Sequence, residues 1–453
     1  MVRESPQNRD LGCAAGVALL GGAQARRSGP ALVGAARRHA LIWLAAATLL
    51  GAGLAAGCAP RDVPVVAAAP QGERPGIAGL LQGDAGGYAR AAGARIFSFP
   101  ADHGAHPGFR TEWWYVTGQL ADAAGRRFGF QFTVFRQALA PPRALAPAGA
   151  SARPRPRPGP GPDASWAGSG RPSAWRADQA WLAHLAVTDI TAGQHWSAAR
   201  LSRGALGLAG ATANPMAVWV EDWRFAQPAA GAPMTLRARD PGGMVLDLQL
   251  VPDSAVVLHG EAGLSRKGED AASYYYSVPR WRVRGRIGSP ALGTTTVVGG
   301  TAWLDREWST SALTPQQIGW DWFALRLNDG RALMLFQLRR ADGRRDGYDA
   351  GSLIARDGTV QRLVAADFTL APGRTWRDEQ GVSWPTQWTL RLHPPRRAPL
   401  ELTVVAEVDD QLLRVGLRYW EGAVRVSGAV RGEGYLEMTG YRSADGQGRA
   451  HGF

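Results

Sequence analysis

Short alternating runs of apolar and polar residues, cut by Gly, Asp and Pro, dominate the chain from Ile96 onward. Glu112–Leu120, Arg127–Gln137, Trp181–Asp189, Met244–Val251, Thr295–Trp303, Trp320–Leu327, Ala332–Arg339, Leu400–Val408 and Gly434–Tyr441 are examples. Turn chemistry separates them, as in Asp122-Ala-Ala-Gly125, Asp240-Pro-Gly-Gly243 and Asn328-Asp-Gly330. A period of two puts successive side chains on opposite faces, which suits strands with a buried face. No stretch of this region sustains a helical period, which excludes a parallel sheet with alternating helices. The pattern predicts an all-β sandwich or barrel.

The patterning pauses near Gly288–Gly293 and then resumes. Two tandem β units follow from that pause, 95–292 and 293–453. Residues 139–175 interrupt the first unit with a Pro-, Arg- and Gly-rich insertion. Such a composition cannot pack a core, and it predicts a disordered loop between two hairpin strands. Residues 59–94, rich in Ala, Gly and Pro, predict a flexible tether.

Upstream, Arg37, Arg38 and His39 precede an apolar run, Ala40–Ala56, that ends in Leu54-Ala-Ala-Gly-Cys58. Basic flank, apolar run and small residues before a cysteine predict a bacterial lipoprotein signal over 1–58. An uncleaved anchor helix or an ordinary signal peptide are the alternatives. Lipidation of Cys58 would place the mature protein in the periplasm, held to a membrane by two acyl chains. Residues 1–36 fit no targeting pattern and suggest a start codon assigned too early.

The 45% hydrophobic and 20% charged content is globular. The net charge of +13 invites a nucleic-acid partner, but the excess arginine concentrates in the first 60 residues and in 141–176. No compact basic motif accompanies it, so nucleic acid is not expected. Lys267 is the only lysine, a bias read as genome composition. Cys13 and Cys58 both precede the patterned region, which removes a disulfide framework or a Cys-based metal site from it. There is no Gly-x-Ser-x-Gly elbow, His-Glu-x-x-His motif, phosphate loop or dinucleotide fingerprint, so neither cofactor nor metal is predicted.

Three clusters carry candidate chemistry. In Asp102–Tyr115, alternation sets Glu112 on a face with Trp114, Val116, Gly118 and Leu120. A carboxyl buried there is either a general acid held neutral beside tryptophan, or the partner of Arg110, Arg136 or Arg306. His103 and His106 are either metal ligands with Asp102 or Glu112, or loop caps. In Trp303-Leu-Asp-Arg-Glu-Trp308, Trp303, Asp305 and Glu307 share one face, and Arg306 and Trp308 the other. That segment is either a reactive site or an ion-pair plug at a barrel end. In Trp320-Asp-Trp-Phe323, Asp321 is either an acid among rings or a strand-end cap. Tyr274-Tyr275-Tyr276 reads as packing.

Taken together, His106-Pro-Gly-Phe-Arg-Thr-Glu-Trp-Trp-Tyr-Val-Thr-Gly118, Tyr275-Tyr276-Ser277, Trp303–Trp308 and Gly319-Trp-Asp-Trp-Phe323 resemble the AttH-like, carotenoid 1,2-hydratase superfamily. The resemblance spans about residues 95–445 and implies two lipocalin-like antiparallel β-barrels in tandem. In the carotenoid hydratases the segment matching Trp303–Trp308 is His-Asp-His-Asn-Trp-like. Asp305 and Trp308 match it and Arg306 and Glu307 depart, so only the first two are carried over.

The resulting expectation is addition of water to an isoprenoid-type C=C bond. A neutral carboxylic acid in an apolar pocket protonates the alkene, and indole faces stabilise the cation. Glu112, Asp305 and Asp321 are the candidate acids. Trp113, Trp114, Tyr115, Trp308, Trp320 and Trp322 are the candidate walls. The rival expectation is a non-catalytic lipid-binding lipoprotein, since barrels of this type also hold apolar ligands unchanged. Relatives linked to membrane export imply an ABC-type export system as its partner. A metal-assisted hydrolase built on His103, His106 and Glu112 is the third.

Overall fold

The alternating runs become strands, and the turn signals between them become hairpins. The computed structural model describes residues 85–142, 177–311, 313–394 and 398–442, all within one compact unit. Cys58, the apolar run before it and most of the 139–175 insertion lie outside the described residues.

The first sheet contains β1 (Thr111–Asp122), β2 (Arg127–Ala138), β3 (Gln179–Asp189), β4 (Gln194–Arg203), β5 (Ala209–Ala213), β6 (Met216–Val220), β7 (Trp223–Ala226), β8 (Met234–Arg239), β9 (Val245–Pro252), β10 (Val257–Leu258), β11 (Leu264–Arg266), β12 (Ala272–Gly288) and β13 (Thr295–Ser311). Its order is β4-β3-β2-β1-β13-β12-β9-β8-β7-β6-β5, with β10 and β11 on β12. The second contains β14 (Gln317–Leu327), β15 (Ala332–Arg340), β16 (Ala350–Ile354), β17 (Val360–Val364) and β18 (Phe368–Pro372). After a separate hairpin, β19 (Thr375–Arg377) and β20 (Ser383–Pro385), it adds β21 (Gln387–Leu392), β22 (Leu400–Ala406), β23 (Leu412–Val415), β24 (Leu417–Gly428) and β25 (Gly432–Met438). Its order is β17-β16-β15-β14-β25-β24-β22-β21-β18, with β23 on β24. Both sheets are antiparallel and curl into nearly closed barrels, two lipocalin-like units in tandem.

The changeover between sheets lies between Ser311 and Gln317, later than the 292/293 break read from the sequence. β13 follows that break yet pairs with β12 on one side and β1 on the other. The Gly288–Gly293 pause is the turn of a long hairpin, with Gly293 at φ +62°. A hairpin turn and a linker share the same residues, so patterning alone does not separate them. Residues 85–94, read as the end of a tether, are tied to the first sheet: Ala89 N–H donates to Gly108 O at 2.8 Å and Tyr274 Oη to Gly93 O at 2.9 Å.

Three apolar layers result. Trp114, Val116, Phe130 and Phe132 fill the first barrel, and Phe323, Leu325, Trp388 and Trp420 fill the second. Between them Tyr115, Trp303, Trp322, Phe336 and Tyr435 pack sheet against sheet. β1, β2, β14 and residues 302–310 of β13 are therefore covered on both faces, which explains their nearly unbroken burial. Polar links cross the same layer: Gln119 Nε2 donates to Val424 O and Gly434 O, both at 2.9 Å, and Arg127 pairs with Glu407 at 2.6 Å. The approach is close enough to require glycine at 129, where a Cβ would stand 2.7 Å from Tyr435 Oη.

Candidate active site between the sheets

Strand register sorts the candidate residues into two sets. Directly paired residues share a face. Glu112 pairs with Trp308 and Arg136, and Trp114 with Arg306 and Val134; this row faces into the first barrel. Trp113 pairs with Glu307 and Tyr115 with Asp305; this row faces the second barrel.

In the first row, Glu112 is fully buried with both oxygens engaged. Arg136 Nε bonds Oε1, Arg306 Nη2 and His106 Nδ1 each lie 3.1 Å from Oε2, and His106 N–H donates to Oε1 at 2.9 Å. Burial alone would raise this carboxyl; the His106 bond and the Arg136 and Arg306 guanidiniums overturn that and hold it at about 2. The reading of Glu112 as a neutral acid does not fit this environment, whereas the arginine-paired alternative does. His106 stacks flat on Trp308 at 3.8 Å, and Arg306 lies 3.7 Å over Trp114. His103 bonds Tyr276 Oη at 2.7 Å, and burial, with Arg306, lowers it to about 4. The cluster forms a buried ion-pair plug within the first barrel. Among the described residues no group of three or more His, Cys, Asp or Glu side chains is placed to hold a metal ion.

The second row borders a partly open cavity of about 70 Å³ between the sheets. Trp113, Tyr115, Tyr275, Asp305 and Glu307 contribute from the first sheet, and Trp320, Trp322, Phe336 and Glu437 from the second. Lys267, in the turn between β11 and β12, is the cation on this lining. Of the candidate walls, Trp113, Tyr115, Trp320 and Trp322 meet here; Trp114 and Trp308 belong to the first barrel's interior and its plug.

Asp305 is 3% exposed and is surrounded by neutral donors. Trp303 Nε1 donates to Oδ1 at 2.5 Å, Ser277 Oγ bonds the same oxygen, and Tyr275 Oη donates to Oδ2 at 2.7 Å. Trp322 Nε1 in turn donates to Tyr275 Oη at 3.0 Å. Burial pushes the carboxyl up, the three donors pull it back, and nearby Glu307 adds to the rise, leaving it at about 7.

Asp321 does not join this group. It alternates with Trp320 and Trp322 and faces the second barrel's interior, where Tyr441 Oη donates to it at 2.9 Å. Burial raises it to about 6 against Arg339 and Tyr441. One carboxyl of the three candidates, Asp305, therefore reaches the cavity.

Sequence reasoning passed over Glu437 and Lys267 and gave Tyr275 to packing. Glu437 pairs across β24–β25 with Glu421, to which Tyr115 Oη donates at 2.5 Å. Burial raises both glutamates; Glu437 adds to the rise of Glu421, and Asp305 and Glu307 add to that of Glu437. A signal for Glu437 existed: in Gly434-Tyr-Leu-Glu-Met438 it alternates onto the face of Tyr435.

Comparison with known proteins agrees with the two-barrel architecture. The AttH-like family model matches residues 90–441. A crystal structure from Nitrosomonas europaea assigned to AttH is 33% identical, covers 78% of this chain and 100% of its own, and superposes with a TM-score of 0.65. Kievitone hydratase from Nectria haematococca shares the fold at 12% identity and a TM-score of 0.56, covering 77% of this chain and 94% of its own. No curated protein matches the chain.

Proposed function

The chain belongs to the AttH-like family, and from that premise and the cavity between its sheets we propose that it adds water to a C=C bond of an isoprenoid-type lipid. The observation that carries this reading is Asp305, a buried carboxyl raised to about 7 beside Trp303 and Trp322 in an aromatic cavity.

Asp305 with its proton on Oδ2 transfers it to an alkene carbon. The donors on Asp305 bind the carboxylate formed more strongly than the acid consumed, so they favour the transition state over the ground state. The tertiary cation left behind lies among the faces of Trp113, Trp320 and Trp322. Water adds to it, and Glu307, two residues along the same face, takes the water's proton. The product is a tertiary alcohol, and a proton passes from Glu307 back to Asp305. The hydratase among the fold neighbours makes this reaction type a natural one to assay.

The test incubates wild-type protein and Asp305→Asn with an acyclic carotenoid or a squalene-like substrate and measures the gain of one water by mass. Conversion by the wild type alone supports the assignment; equal conversion by the variant overturns it. No conversion, with an unaltered lipid co-purifying in native mass spectrometry, places the protein among lipid carriers. The same reading makes it an exported lipoprotein anchored through Cys58 beside a membrane export system. Intact-mass measurement of membrane-extracted protein tests that part, with a diacylated N-terminal Cys58 expected.

A further inference from the structure

Of the 51 lysine and arginine side chains in the sequence, one is lysine, and that one borders the cavity. Lys267 is 7% exposed. Its backbone is fixed: its N–H donates to Ala271 O at 2.8 Å, and its carbonyl accepts from Gln317 Nε2 at 2.6 Å. Its Nζ stands 3.2 Å from Ser265 Oγ, 3.5 Å from Glu307 Oε1 and 3.8 Å from the centre of the Phe336 ring. An ion pair needs no lysine, because arginine serves the rest of the chain. Arginine stays protonated in proteins, whereas lysine can lose its proton and become a nucleophile. Burial favours that loss by lowering the ammonium's pKa, against the pull of Glu307. An amine in an apolar pocket with a carboxylate in reach has what imine formation requires.

We propose that Lys267 is a carbonyl-capture site, condensing with the aldehyde of an apolar, isoprenoid-type ligand held between the sheets. The Lys267 ammonium gives a proton to Glu307, and the neutral amine attacks the carbonyl carbon. The C=O π bond opens to an alkoxide as the new C–N bond forms, and a proton passing from that nitrogen to the oxygen makes it a hydroxyl. Glu307 returns its proton to that hydroxyl, water leaves, and the nitrogen lone pair closes a C=N bond. The net change is ammonium plus aldehyde to iminium plus water, with the Glu307 carboxylate as counter-ion. Lys267 is the one cation among the described lining residues and already pairs with Glu307, so an anionic ligand finds no partner of its own. Trp113, Trp322 and Phe336 favour an apolar one.

This goes beyond hydration and shares with it the cavity and the proton carrier Glu307. The full-length protein is incubated with citronellal and sodium cyanoborohydride, which reduces an imine to a stable amine, and its peptides are read by mass spectrometry. Citronellal has no conjugated C=C bond, so conjugate addition does not compete. The expected result is a reduced-imine mass on the Lys267 peptide. That mass disappears in Lys267→Arg, whose unchanged circular dichroism shows the fold is kept. Glyoxylate, an anionic aldehyde, is expected to leave Lys267 unmarked. An adduct confined to the N-terminal amine overturns the proposal, as does equal marking of Lys267 by both aldehydes. The readout needs no turnover, so it can fail while hydration stands, and hydration can fail while it stands.

Discussion

Asp305 and Glu307 stand two residues apart on one face of β13, yet Asp305 accepts only neutral donors while Glu307 faces the Lys267 ammonium at 3.5 Å. One carboxyl among uncharged donors and the next beside a cation is the arrangement that the proposed acid and base require on a single strand. Glu307 also accepts from Ser273 Oγ at 2.5 Å.

That division gives the proposed hydration a pH signature. Asp305 must carry a proton, and its carboxyl is raised from 3.8 to about 7. The acid form is full well below that value and lost above it. Hydration measured as kcat/KM is expected to fall about tenfold per pH unit above roughly pH 7. Asp305→Asn is expected to lower it by about 10²–10⁴-fold with the fold intact. A pH profile that stays flat between pH 6 and 9 counts against Asp305 as the proton source.

Glu112 belongs to stability instead. Its folded value of about 2 lies below the ordinary 4.5, so its contribution is complete above 4.5 and is lost as pH falls from there towards 2. Chemical denaturation across that range is expected to show the loss in the wild type. Glu112→Gln is expected to cost about 3–5 kcal/mol at neutral pH, because it leaves the Arg136 and Arg306 guanidiniums buried without their anion. A change under about 1 kcal/mol would mean that the plug relaxes around the amide.

The strands and their faces follow from residue types and a period of two, which leaves Glu112 open between a neutral acid and an arginine partner. Trp303, Asp305 and Glu307 are readable as one face for the same reason. What alternation cannot tell is which face meets the other barrel, because both faces of β1 and β14 are buried and carry large aromatic residues. Trp113 and Trp114 look alike in sequence, and only register separates the cavity wall from the barrel filling. Lys267 comes near Asp305 through the pairing of β11, β12 and β13 within the first sheet, and Glu437 only once the two sheets pack. The sheet boundary was hidden for a related reason, since the turn between β12 and β13 has the composition of a linker.

Asp321 tests whether the cavity assignment is right on the second sheet. It faces the barrel interior with Tyr441 at 2.9 Å and Arg339 at 3.9 Å. Asp321→Asn keeps the hydrogen bond to Tyr441 and removes a charge that reaches no cavity wall. Hydration is expected to stay within about twofold of wild type, with about 1–3 kcal/mol lost in thermal unfolding. A loss of activity as large as that of Asp305→Asn would relocate the acid to the second barrel.

The spacing of the two sheets is set at Gly129. An alanine Cβ there would stand 2.7 Å from Tyr435 Oη and 2.9 Å from the Cβ of Ala423, which is fixed on β24. Gly129→Ala is therefore expected to push the sheets apart and to cost about 1–3 kcal/mol through overpacking. Tyr435→Phe removes the nearer of the two atoms, so in the double variant part of that loss is expected to return. Because the walls of the cavity come from both sheets, binding of an apolar ligand is expected to weaken in Gly129→Ala and to recover in step with stability. Calorimetric unfolding of the four proteins, with and without citronellal, measures both effects. Stability that recovers without binding would show that the cavity's shape does not depend on this contact.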